Sequence, residues 1–117
     1  MFREHSLARY VTDKTSLNLR HEIGIDIIAW ECDYPHSDSS WPGAPEELAA
    51  VAADVPDGEL AKITHENAMR WYDFDPFAHR SRADATVAAL RAEAGDHDVA
   101  IRPYDTGRIQ RSGKGVD

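Results

Sequence analysis

The pattern of hydrophobic and polar positions at the start of the chain predicts a strand–helix–strand unit. A short strand is predicted over residues 7–11 and a helix over residues 15–23, which Gly24 ends by adopting a left-handed conformation. The Ile-rich run at residues 25–30 is typical of a strand buried on both faces of a parallel sheet. Because parallel strands need a crossover of about this length, the three elements form one βαβ unit.

Three helices are predicted beyond this unit. The first begins near Pro45, and the second spans residues 59–72. Ser81 and Asp84 are spaced as a capping box, which predicts that the third helix begins there. Residues 97–117 show little periodicity and are expected to form a mobile arm.

Composition and charge narrow the possible function classes. The 117 residues have a formal net charge of -8. This acidity argues against nucleic acid and membrane surfaces as partners, because both attract clustered Lys and Arg. No apolar run approaches the ~20 residues that span a bilayer, and the first residues do not resemble a secretory signal, so a cytoplasmic protein is expected. Cys32 is the single cysteine, and we expect a small buried hydrophobe rather than a nucleophile.

A dense patch of acid–base side chains follows the second predicted strand. Asp33 lies just past the carboxyl end of that strand, where ligands bind in α/β folds. Its carboxylate could bind a divalent metal or take a proton from a metal-bound water, or it could simply form a turn before Tyr34. His36 is a candidate substrate contact or proton carrier, or else an exposed loop histidine. Pro35 disfavours a helix, so we do not expect local geometry to bring both side chains onto one metal.

Other chemically suggestive residues have simpler structural explanations. Residues 38–40 are typical of a polar loop that caps its own backbone. Trp41 could form the wall of a pocket, although packing on the following helix is the simpler interpretation. His65 resembles the first histidine of a zinc-protease helix, but Met69 stands where the second should be. Asn67 lies near the apolar face of its helix and is expected to be a buried amide bonded to backbone.

Two segments, IAWECDYPHSDSSWP at residues 28–42 and KITHENAMRWY at residues 62–72, carry a family resemblance. They resemble the eighth barrel strand with its loop and the closing helix of the amidohydrolase-related family, in the branch of metal-dependent hydrolases and aromatic carboxylate decarboxylases. The resemblance implies that Asp33 is the family's eighth-strand aspartate, a metal ligand or general base. It also implies that His36 belongs to the family's Tyr-Pro-His extension.

The resemblance further implies an α/β fold that is the C-terminal fragment of a (β/α)8 TIM barrel. About the last two strands and the helices after them would occupy residues 1–96, followed by the irregular tail at residues 97–117. A whole barrel of this type needs about 250 residues. The implied parent enzyme acts on small organic substrates, often carboxylated or cyclic, by metal-dependent hydrolysis or decarboxylation.

The family's first-strand His-x-His pair is absent from this sequence. The chain alone is therefore expected to be inactive and to bind no divalent metal tightly, zinc being the metal that the family implies. The alternative is a small non-catalytic binding or assembly module. Such a module would self-associate, or would complete a barrel with a partner chain that supplies the missing strands.

Overall fold

The computed structural model describes residues 5–37 and 39–97. The predicted mobile arm lies outside these residues, apart from His97. In chain order the elements are β1 (Ala8–Tyr10), α1 (Lys14–Asn18), α2 (Arg20–Ile23), β2 (Ile28–Trp30), α3 (Ala44–Val51), α4 (Asp57–Ala61), α5 (Asn67–Tyr72) and α6 (Val87–Ala94). A π-helical turn joins α4 to α5, so that residues 57–72 form one continuous helix. None of the helices in the described ranges has the length and apolar character needed to cross a membrane.

The two strands pair in parallel, with Ala8 opposite Ile28 and Tyr10 opposite Trp30. This arrangement, with α1 and α2 between the strands, confirms the predicted βαβ unit. The second strand is shorter than predicted, because residues 25–27 form a 3₁₀ turn in which the Ile27 N–H donates to the Gly24 carbonyl (3.0 Å). Gly24 has a φ of 123°, which is open to glycine. The chain therefore enters β2 from a tight turn.

The core lies between the sheet and the helices that follow it. Its buried side chains come from both strands and from three helical segments: Tyr10, Leu17, Ile28, Leu48, Ala52 and Ile63. Ile28 and Ala29 point to opposite faces of β2 and are both buried, as predicted for that strand. Arg9 of β1 is exposed and forms an ion pair with Glu31 (3.1 Å).

The long helix over residues 57–72 contacts the βαβ unit through a buried apolar side chain and through an ion pair. Ile63, with no exposed surface, lies in the π-helical turn that packs on β2. The Arg20 guanidinium donates to Glu59 (2.6 Å), and this contact lowers the pKa of the Glu59 carboxyl. These contacts hold the helix against the region that carries the loop after β2.

The predicted start of the third helix is wrong. Ser81 and Asp84 do form the expected bonds, since the Asp84 N–H donates to Ser81 Oγ (3.2 Å) and the Ser81 hydroxyl donates to Asp84 Oδ2 (2.6 Å). These bonds close a turn, and α6 begins only at Val87. The N-cap is Thr86, whose side chain accepts from the Ala89 N–H (3.2 Å). Thr86 thus supplies the capping oxygen that the earlier pair was expected to provide.

The buried Tyr10 side chain makes the stability of the fold sensitive to alkaline pH. Burial, aided by the charge of Asp13, raises the pKa of Tyr10 to about 12, whereas an unfolded tyrosine titrates near 10. The unfolded chain therefore loses this proton first as the pH rises. Stability should be unaffected by Tyr10 below about pH 10 and should fall by up to about 3 kcal/mol as the pH approaches 12.

Urea unfolding of Tyr10→Phe between pH 8 and pH 12 checks this prediction. The variant should lose much of the alkaline sensitivity, whereas Tyr72→Phe, at an exposed tyrosine, should keep it. An unchanged alkaline slope in Tyr10→Phe would contradict the prediction.

Candidate functional site

The loop after β2 brings together the two residues that the sequence singled out. Asp33 adopts a φ of 56°, a left-handed conformation that aspartate tolerates better than most residues. The chain then turns through Tyr34 and Pro35, and the His36 N–H donates to the Asp33 carbonyl (2.9 Å). Within the same turn, His36 Nδ1 lies 2.9 Å from Asp33 Oδ2. The two side chains therefore form a carboxylate–imidazole pair through a turn and not through a helix.

Hydrogen bonds between Cys32 and two serines hold the two ends of this loop together. The Cys32 carbonyl accepts from the Ser39 hydroxyl (2.7 Å) and from the Ser40 N–H (3.2 Å). Ser39 Oγ in turn accepts from the Trp41 N–H (3.2 Å). The Ser39 hydroxyl thus caps the loop's own backbone, as predicted, whereas Ser40 contributes its backbone N–H. Asp38 lies outside the described residues. The sequence pattern does not predict this closure, which holds Asp33 and His36 in one short loop.

The pair has the geometry of an oriented acid–base group. A carboxylate can only accept, so the bond to Asp33 places a proton on His36 Nδ1 and leaves Nε2 as the basic nitrogen. The Asp33 side chain is 29% exposed and the His36 side chain 72% exposed, so both can be reached from solvent. Such a pair can orient a water molecule or a substrate group and can move a proton.

A shallow apolar groove, the α6 groove, lies beside this loop. Its volume is about 280 Å³. The main wall residues are Trp30, Cys32, Trp41, Val87, Leu90 and Ala94. Trp41 also contacts the Tyr34 ring, with centroids 5.3 Å apart, so the structure favours the pocket-wall interpretation of Trp41. Cys32 is half-buried in this groove.

A comparison with known families matches a sequence profile described as amidohydrolase to residues 16–74, about half of the chain. The match includes all of β2, the Asp33–His36 loop and the long helix. The chain belongs to the amidohydrolase family. No curated protein matches it.

Amidohydrolases are generally metal-dependent, so a metal centre is the site that the family implies. Catalytic zinc usually takes three protein ligands, which are nitrogen, sulfur or carboxylate oxygen atoms. Residues 5–37 and 39–97 contain no group of three or more such side chains that could hold one ion. Asp33 offers a single carboxylate, and His36 already directs Nδ1 toward it. The described residues therefore do not fit a complete amidohydrolase metal centre.

We expect the chain alone to bind zinc weakly, with a dissociation constant above about 1 µM, because water must fill most coordination positions. Titration calorimetry measures this directly. Submicromolar affinity that disappears in Asp33→Ala would show a complete site and contradict the expectation.

The remaining candidates have structural roles. Asn67 has no exposed surface, and its side-chain amide donates to the carbonyls of Ile25 and Ile28, each at 2.8 Å. This confirms the predicted buried amide. His65 Nδ1 lies 2.9 Å from Thr64 Oγ1, and the His65 ring meets the edge of Phe77. This histidine packs between the long helix and the segment that follows it.

Proposed function

We propose that the chain is the C-terminal part of an amidohydrolase barrel, with β1 and β2 as its last two strands. The observation that supports this most directly is the Asp33–His36 pair, 2.9 Å apart at the carboxyl end of β2. Catalytic groups in (β/α)8 barrels project from that end of the strands. The parallel pairing and the helical crossover between the strands are the connections that such a barrel repeats.

In the assembled barrel, Asp33 is a general base or one ligand of a divalent metal, zinc by family resemblance. His36 orients the Asp33 carboxylate and carries a proton at Nε2. A carboxylate suits both tasks because it is a hard oxygen ligand and accepts a proton. The substrates are small organic molecules, often carboxylated or cyclic, and the reaction is hydrolysis or decarboxylation. The metal, when bound, would supply Lewis-acid activation.

The free edges of the sheet explain why the chain would be inactive alone. The described sheet has two strands of three residues each, so each strand has one neighbour in the sheet. A barrel removes such edges by closure, and short two-stranded sheets are marginal by themselves. The missing strands would carry the remaining metal ligands and most of the substrate contacts.

The test is to supply those strands, by fusion to the N-terminal part of a related amidohydrolase or by mixing with it as a separate polypeptide. Turnover that requires both parts and a divalent metal is expected. A folded complex that binds metal tightly and turns over none of a panel of amide, ester and carboxylate substrates would contradict the proposal.

The same free edges favour a second candidate, a non-catalytic assembly module. In that role the chain pairs β1 or β2 with a strand of a partner chain, or with a second copy of itself, and Asp33 only forms the turn. A stable complex with the barrel partner that shows no turnover would favour this module over the enzyme.

A further inference from the structure

The face of the sheet that points away from the core carries an ion pair. Tyr10 and Ile28 point into the core. Because side chains alternate along a strand, Arg9, Ala29 and Glu31 lie on the opposite face. The Arg9 guanidinium lies 3.1 Å from the Glu31 carboxylate, and the two side chains are 64% and 27% exposed. In a closed barrel the helices surround the strands, so this opposite face would line the interior.

The ion pair lies toward the carboxyl end of the sheet. The Glu31 N–H donates to the Tyr10 carbonyl (2.9 Å), so the bonding between the strands continues one residue beyond β2. Arg9 stands opposite Ala29, and its side chain reaches toward that end to meet Glu31. Asp33 follows Glu31 by two residues, which span at most about 7 Å. Groups at this end of barrel strands serve catalysis, whereas those at the other end serve stability.

We propose that Arg9 binds a carboxylate of the substrate and so selects carboxylated substrates over neutral ones. The proposal rests on the proposed function, because only a closed barrel makes this face the wall of a site. Arginine presents five N–H donors in a planar fork that matches a carboxylate. Within residues 5–37 and 39–97, Glu31 is the one ion-pair partner of Arg9. When a barrel closes over the guanidinium and removes its water, the remaining donors need acceptors.

The spacing along the strands also describes the substrate. Arg9 holds the carboxylate at the level of Glu31, and the reaction takes place farther along, at Asp33. The carboxylate that Arg9 binds is therefore separate from the group that reacts, and it stays in the product. A small ring compound that carries a carboxylate on one side and its reacting group on the other suits this arrangement.

Arg9→Gln, introduced into the completed barrel, tests the proposal. Steady-state kinetics compare a carboxylated substrate with the analogue in which hydrogen replaces the carboxylate that does not react. The variant should lower the ratio of the two kcat/KM values at least ~10-fold, mainly through the KM of the carboxylated substrate, because it loses charged hydrogen bonds. Arg9→Lys should restore part of this preference, since it keeps the charge but not the fork.

Arg80→Gln is the matched control. Arg80 is also a partly exposed arginine paired with a carboxylate, since its Nη2 donates to Glu93 (3.1 Å), but it lies outside the sheet. This control should leave the preference unchanged. An equal loss on both compounds in Arg9→Gln would overturn the proposal. So would weaker assembly of the barrel with the preference intact, which would assign Arg9 to a carboxylate of the missing strands.

Binding measurements separate this proposal from the proposed function. If the barrel assembles without turnover, the proposed enzyme fails, and calorimetry with benzoate still tests Arg9. Benzoate should then bind the barrel at least ~10-fold more tightly than it binds the Arg9→Gln barrel. Equal benzoate affinity would overturn the role of Arg9. If the two parts do not assemble, the proposed function fails and this proposal fails with it.

Discussion

Asp33→Asn, introduced into the completed barrel, should lower the rate of turnover by at least ~100-fold. An amide has nearly the shape of a carboxylate, and asparagine also tolerates the left-handed φ of 56° found at this position. An amide is nevertheless a poor proton acceptor and a weak metal ligand. Because Asp33 lies in a loop outside the packed core, the free energy of unfolding should change by less than about 1 kcal/mol.

Steady-state kinetics and urea unfolding, run on the same preparations, separate the two effects. Asp54→Asn is the matched control, since the Asp54 side chain is 91% exposed and its contact with Lys14 is long, at 3.8 Å. This control should keep full activity and stability. If Asp33→Asn retains most of the rate, Asp33 is a turn residue and its catalytic assignment is wrong.

Asn67→Ala should destabilise the isolated chain by about 2–4 kcal/mol, because it leaves buried carbonyl groups without their donor. The side-chain amide bonds to Ile25 and Ile28 at 2.8 Å, and Asn67 Oδ1 accepts from Arg70 (3.1 Å). A loss of this size is a large fraction of the stability of a small domain. Chemical denaturation measures it.

Asn18→Ala provides the control for that measurement. Asn18 is exposed at the end of α1, so its replacement should change stability by less than about 0.5 kcal/mol. Similar losses in both variants would show that the Asn67 bonds contribute little beyond the general effect of removing an asparagine.

Local pattern was sufficient to predict the βαβ unit, the parallel pairing and the burial of Asn67. Prediction from local pattern failed where contacts with residues distant in sequence determine the backbone conformation. Residues 25–27 are apolar enough for a strand, yet they form a 3₁₀ turn, and the Ile25 carbonyl there bonds to an amide 42 residues away. The predicted start of α6 is wrong for a local reason: the Ser81–Asp84 pair and Thr86 are neighbouring capping candidates, and Thr86 forms the helical cap.

For the candidate site, the sequence identifies the residues but not the contact between them. The sequence pointed to Asp33 and His36 because they follow an apolar strand, and their catalytic roles remain predictions. Their contact could not be predicted, since it depends on a turn at residues 33–36. The serine contacts to the Cys32 carbonyl close the same loop. Val87 and Leu90 have the spacing of a buried helix face, yet both side chains are partly exposed on α6.

The bonds made by Asn67 also protect the sheet against slippage. Only three residue pairs align β1 with β2, so strand pairing by itself resists an alignment error weakly. Sliding β2 by one residue would carry the Ile28 carbonyl away from the Asn67 amide and would turn the Ile28 side chain out of the core. Both penalties arise together. A single buried amide on a helix thereby selects one alignment of a sheet that is too short to select it alone.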